Sequence, residues 1–237
     1  MAIPKNLTLT WLGHSTFKIT TPEGKIILID PWVAGNPACP DTNKQFERLD
    51  LMLVTHGHFD HIADAVALAR AHKPQVVAIY EVCHWLESKG VENLHPMNKG
   101  GSQVVEGVTI TMTHADHSCG ILEDGKIIYG GEAAGYLLQF STGYRIYHAG
   151  DTALFGDMRL IGDLYRPKLA LLPIGDLFTM NPREAAYAAR LLRVREVIPM
   201  HFGTFPLLSG TSEVFKKEIR KVAKAKVLEL EPGESLP

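Results

Sequence analysis

Three histidines and one aspartate crowd into residues 56–61 of the stretch THGHFDH, directly after the apolar run LMLV at 51–54. Imidazole and carboxylate are the ligand types of borderline divalent metals such as zinc and manganese. In an extended segment residues i and i+2 point to the same side, so His56 and His58 can aim at one point. Asp60 and His61 stand where a helix is expected to begin. The chain turns there, which aims them at a second point. Two adjacent ligand pairs imply two ions rather than one.

Two ions need more than four ligands, and the remaining candidates sort by position. His117 lies in the loop ADHSCG after VTITMTH, Asp151 in HAGDT after YRIYHA, and His201 in MHFGT after EVIPM. Each sits just past an expected strand end, where ligands collect in layered α/β folds. Seven side chains from four loops then make a dinuclear site. His114 and Asp116 are neighbours that compete with His117. Strand alternation points His148 away from the ions, although it could brace them from behind. Cys119 is read as a bystander thiol, and His72, His84 and His95 show no pairing.

The elements that must carry these loops are legible as short apolar or alternating runs. Strands are expected at 7–12, 16–20, 25–30, 51–54, 75–80, 108–114, 136–140, 144–149, 169–174, 196–200 and 226–230. TPEG at 21–24 and STG at 141–143 have hairpin-turn chemistry. Ile62, Ala65, Val66 and Ala69 fall on one helical face. NPREAAYAARLL opens with Asn181 as N-cap, Pro182 in the first turn and Glu184 three residues after the cap. Thr211 or Ser212 opens a last helix, whose basic residues in KKEIRKVAKAK form its solvated side. Strands run together near the start and again in the middle, each group passing into strand–helix alternation. Two such halves imply two mixed sheets face to face with helices outside.

The bulk numbers narrow the function classes. A chain of 237 residues with 46% hydrophobic and 21% charged residues is ordinary for a globular protein, and one domain over 1–237 is the simplest expectation. A formal charge of -2 gives no pull toward nucleic acid or acidic membrane. No apolar run approaches the roughly 20 residues that span a bilayer. Three cysteines without a CxxC pair, and an N-terminus without an apolar signal region, make the cytoplasm the expected compartment.

THGHFDH, ADHS, HAGDT and MHFGT, in that order, resemble the successive signatures of the metallo-β-lactamase superfamily. WLGHSTF, LIDPW and LLPIGDLFTMNPREAA resemble its branch of small, single-domain metal-dependent hydrolases related to ascorbate-6-phosphate lactonase. The resemblance implies a four-layer αββα sandwich. It implies that His56, His58 and His117 hold one ion, that Asp60, His61 and His201 hold the other, and that Asp151 bridges with one oxygen to each. Asp30 resembles an aspartate that braces the HxHxDH loop. His14, Asp176 and Thr179 are candidates for contact with substrate or support of the ligands. The cofactors expected are two divalent ions, zinc or manganese. One zinc alone lowers the pKa of bound water to about 7. A hydroxide between two ions is therefore the expected nucleophile, with Asp60 and Asp151 as catalytic residues.

The expected reaction is hydrolysis of a small-molecule ester, lactone-like, with phosphodiester cleavage as the alternative. A di-iron redox protein would resemble HxExDH, but here the second ligand is His58. A non-catalytic metal-binding protein is disfavoured by seven intact ligand positions. The expected partner is a small-molecule substrate. Self-association into a homo-oligomer stays open.

Overall fold

A computed structural model describes residues 3–237. The chain opens with a meander, β1 (Thr8–Trp11), β2 (Phe17–Thr20) and β3 (Ile26–Ile29), in which neighbours pair antiparallel. The parallel strands β4 (Leu51–Leu53), β5 (Gln75–Ile79) and β6 (Leu94–Met97) follow, joined through α1 (Phe59–Ile62), α2 (Ala65–His72) and α3 (Tyr80–Ser88). The second half repeats the scheme. β7 (Ser102–Val105) and β8 (Val108–His114) lead into the separate hairpin β9 (Gly120–Glu123) and β10 (Lys126–Tyr129). β11 (Ala134–Gln139) then pairs antiparallel with β8 and with β12 (Arg145–His148). β13 (Leu169–Pro173), β14 (Glu196–Met200) and β15 (Lys226–Val227) add parallel strands, connected by α4 (Met158–Tyr165), α5 (Pro182–Leu192) and α6 (Ser212–Val222). The last strand, β16 (Ser235–Leu236), returns to pair with β1.

Two seven-stranded sheets result, ordered β16-β1-β2-β3-β4-β5-β6 and β15-β14-β13-β12-β11-β8-β7. They form the αββα sandwich that the strand–helix order implied. The composition follows from the layers. β4 and β13 are buried at every residue, as parallel strands covered on both faces must be. The core joins side chains of both sheets in one cluster, from Leu7 to Leu230. Its large members, such as Phe17, Tyr136 and Phe215, are worth about 1.5–3 kcal/mol each when fully buried.

Several expectations needed revision. Residue 80 leaves the strand expected over 75–80 and starts α3. The helix expected across 62–69 breaks at Asp64, whose N–H donates to the Pro31 carbonyl at 2.9 Å instead of continuing the helix. Its carboxylate then accepts from Val33 and Ala34 N–H at 2.7 and 2.9 Å. This break lets α1 be a single turn that presents Asp60 and His61. Strands β6, β7, β9, β10 and β16 lack the strong apolar runs that marked the others; β10, for instance, has no buried residue. Asn181 caps α5 with a full capping box, and Thr211 rather than Ser212 caps α6.

Candidate metal centre

The ligand-bearing loops all follow strand ends on one rim of the sandwich, and contacts between the sheets fix their register. Tyr136 of β11 donates its hydroxyl to the Val54 carbonyl at 2.8 Å. Ala134 N–H donates to the Thr55 carbonyl at 3.0 Å. The second sheet thus holds the loop that carries THGHFDH. In return, His201 N–H donates to the His14 carbonyl at 3.0 Å, and His148 bonds the Ser15 carbonyl at 3.1 Å.

His56, His58 and His117 converge through particular nitrogens. His56 Nε2 lies 3.0 Å from His58 Nδ1, and His117 Nε2 lies 3.2 Å from the same atom. Zinc–nitrogen bonds of about 2.0–2.1 Å put neighbouring ligands about 3 Å apart, so this spacing matches one coordination shell. Asp60, His61 and His201, together with His14, bring ligand atoms within 4.8 Å of one another. Asp151 stands between the groups. Its Oδ2 is 2.9 Å from His201 Nε2, 3.3 Å from His61 Nε2, 3.8 Å from His117 Nε2 and 3.9 Å from His56 Nε2. A single oxygen therefore faces both sets, whereas the resemblance implies one oxygen for each. The other oxygen, Oδ1, is buried without a hydrogen-bond partner, as is His61 Nε2.

Asp30 sets the orientation of two of these rings. Its buried carboxylate accepts from Thr55 N–H and Thr55 Oγ1–H, both at 2.8 Å. His61 Nδ1 donates to its Oδ2 at 2.7 Å. The Thr55 hydroxyl, having donated to Asp30, can only accept from His56 Nδ1 at 3.0 Å. Both rings then donate from Nδ1 and turn Nε2 toward the cluster, which makes Nε2 the nitrogen a metal would take.

Electrostatics point the same way. Burial, followed by the nearby His61, holds His56 well below its ordinary value, and burial also lowers His58 and His117. Those three are lone-pair donors without a cation between them. Burial opposes charge on Asp60 and Asp151, yet the surrounding histidines outweigh it and hold both carboxyls well below the usual range. Burial likewise pulls His61 and His201 down, but the carboxylates win, raising His61 strongly and His201 to about 9. The inward-facing lone pairs, the buried carboxylates and the unpartnered His61 Nε2 fit a pair of divalent cations.

His14 is fully buried and supports a ligand rather than reaching for substrate. Its Nε2 bonds Asp60 Oδ2 at 2.9 Å and its Nδ1 meets Thr204 Oγ1 at 3.0 Å. His14, Asp30 and His201 all have positive φ, at 55, 51 and 55°. His148 points away, with Nε2 on Ser15 and Nδ1 accepting from Gly150 N–H at 3.1 Å, so it shapes the turn before Asp151. Cys119 is buried, accepts from Gly57 N–H and donates to the Gly130 carbonyl. His114 and Asp116 are exposed and outside the cluster.

A cavity of about 560 Å³ opens over the cluster, with His58, Asp60, His117, Asp151 and His201 on its floor. Asp176 and Thr179 do not line it; Phe178, between them, does. Asp176 instead accepts from Ser209 Oγ at 3.1 Å and shapes the loop. A family model for the beta-lactamase superfamily domain matches residues 25–202. The chain belongs to the metallo-β-lactamase superfamily. Within that superfamily it is 54% identical over 231 residues to a metal-dependent hydrolase of Koribacter versatilis, covering 98% of each chain. It is 58% identical over 227 residues to one of Solibacter usitatus, covering 96% of this chain and 98% of the other. Among solved structures, the metallo hydrolase Igni18 of the archaeon Ignicoccus hospitalis is 38% identical, covers 97% of each chain and superposes with a TM-score of 0.85. Against that superfamily background, the residues that reading the sequence missed are the apolar cavity wall and Thr55. The first had a signal in FGTFPLL, an apolar loop beside the His201 motif. Thr55 had none, because its part depends on Asp30, 25 positions away.

Proposed function

We propose that this metallo-β-lactamase relative is a dinuclear metal-dependent hydrolase that cleaves a small-molecule ester of lactone type. The observation that carries the reading is Asp151 Oδ2, set within 3.9 Å of four histidine nitrogens drawn from three loops at the floor of an open cavity. The relatives' names as metal-dependent hydrolases support it. His56, His58 and His117 would hold one ion, and Asp60, His61 and His201 the other, with Asp151 between them. Zinc or manganese ions there would polarise an ester carbonyl and acidify water enough for attack at neutral pH.

The remaining work belongs to the chain. Asp30 and Thr55 keep His56 and His61 in the ligating tautomer. His14 holds Asp60 by Oδ2 and so fixes the carboxylate that would face the second ion. Carboxylates held well below the usual range stay ionised at neutral pH. The His58 position, where a glutamate would mark the di-iron redox pattern, speaks for hydrolysis.

The test is reconstitution of metal-free protein with zinc or manganese, followed by metal analysis and a screen of lactones, other esters, thioesters and phosphodiesters. Two equivalents per chain and ester or lactone turnover are expected. Less than one equivalent bound, or turnover of phosphodiesters alone, overturns the assignment.

A further inference from the structure

The cavity over the centre has a polar floor and an apolar wall. The wall is built by Phe59, Leu122, Phe178, Phe205, Pro206 and Leu207, and among the described residues no lysine or arginine lines it. Large apolar side chains left in water need a reason when they form a patch. Here Phe59, Leu122, Phe178 and Leu207 are each more than half exposed, and all four face one cavity.

Two members of the wall are braced from behind. Trp32, almost fully buried, stacks on Phe205 with centroids 5.7 Å apart and meets Phe59 edge-on at the same distance. The patch also continues past the cavity along the β9–β10 hairpin. There Leu122 pairs with Ile127 and Gly120 with Tyr129. Paired residues, and residues two apart in a strand, share a face. Gly120 and Leu122 line the cavity, so Ile127 and Tyr129, both highly exposed, extend the same apolar face outward. The buried Ile121 occupies the opposite face.

Beyond the floor, where the cations would sit, the wall offers no Arg or Lys side chain to pair with a charged group on the rest of a ligand. We propose that the cavity selects an ester or lactone carrying an uncharged, apolar chain, with the chain laid on this wall and along the hairpin. The inference rests on the hydrolase reading above and deepens it. In the reaction the acyl carbon–oxygen bond breaks as water adds its oxygen to the acyl carbon and its proton to the leaving oxygen. An ester thus gives an acid and an alcohol, and no other reactant is needed.

The test uses the metal-reconstituted full chain with p-nitrophenyl acetate, butyrate, hexanoate and octanoate, which share one leaving group. A fully buried methylene is worth about four-fold in affinity. Partial burial of the chain is expected to raise kcat/KM at least about ten-fold from acetate to hexanoate. The neutral dye N-phenyl-1-naphthylamine gives a second readout, its fluorescence rising on binding and falling when octanamide displaces it. Phe178→Lys and Leu207→Lys, both at exposed positions, are expected to flatten the chain-length dependence and abolish dye binding. Esters cleaved with no chain-length preference would overturn the inference while leaving the hydrolase reading intact. Two bound ions without cleavage of any ester would overturn the hydrolase reading. In that case dye binding lost in both lysine variants still upholds the apolar wall. Failure of the wild-type chain to bind dye, as when a second copy covers the wall, would sink it.

Discussion

Asp30→Asn tests the ligand geometry with a change of one atom. Asp30 Oδ1 accepts from Thr55 N–H, and Oδ2 accepts from Thr55 Oγ1–H and His61 Nδ1–H, at 2.7–2.8 Å. An asparagine that keeps its oxygen toward Thr55 N–H must place its NH2 where Oδ2 was. That group donates, so His61 Nδ1 must become an acceptor and move its proton to Nε2. The Thr55 hydroxyl must also accept from the amide, which leaves it to donate to His56 Nδ1 and likewise drives the His56 proton to Nε2. Two ligand lone pairs would be replaced by two N–H groups aimed at the cations. Loss of one partner behind a metal-bound histidine costs about 10–100-fold in affinity. For two histidines, the loss is about 10²–10⁴-fold, or about 3–5 kcal/mol summed over the two ions. Stability should fall less, by about 1–3 kcal/mol, because only a charge-assisted bond is weakened. Competition titration of zinc against a chromophoric chelator measures the first quantity, and thermal unfolding of the metal-free protein the second. A variant that folds like the wild type and binds two ions with wild-type affinity would refute the tautomer argument.

Asp151→Ala is expected to lower hydrolysis by more than about 100-fold and to reduce zinc stoichiometry while preserving the circular dichroism spectrum; unchanged turnover would remove Asp151 from between the ions. His14→Ala should weaken binding of one of the two ions by about 10–100-fold, resolved as separate steps in titration calorimetry, because Asp60 loses the bond that orients it. Equal weakening of both steps would contradict that placement. In the metal-free protein His201 is raised to about 9, and His61 is raised as well. Folded values above the unfolded value of about 6.5 give stability that is complete below that pH and lost as pH climbs through 9. The Tm should therefore fall over that window, and zinc, by displacing those protons, should flatten the fall; a metal-free Tm that rises instead would oppose the charge arrangement. Asn181→Ala removes a cap that accepts two N–H bonds and should cost about 1–2 kcal/mol in urea unfolding; a loss within error would mean that α5 is held by packing alone.

Much of the centre was legible in linear order because its information is local. HxHxDH needs only a strand end and one helical turn, and each further ligand stands one short step past an apolar strand. Both sheets were legible for the same reason: hydrophobic alternation and buried parallel runs report burial directly. The weak strands were not, since β10 has no buried residue and β16 spans only two residues. Their existence depends on a partner strand rather than on their own composition.

By itself, then, the chain specified which side chains can ligate, which runs become strands and where helices are capped, because period, turn chemistry and residue type are properties of neighbours. Tertiary structure alone decided the rest. It brought His117 beside His58, buried His14 behind Asp60 and linked Asp30 through Thr55 to His56. It also gathered Phe59, Leu122, Phe178 and Leu207 into one wall. The physical reason is common to all four. Each depends on the distance between atoms far apart along the chain, and that distance exists only once two sheets have packed face to face.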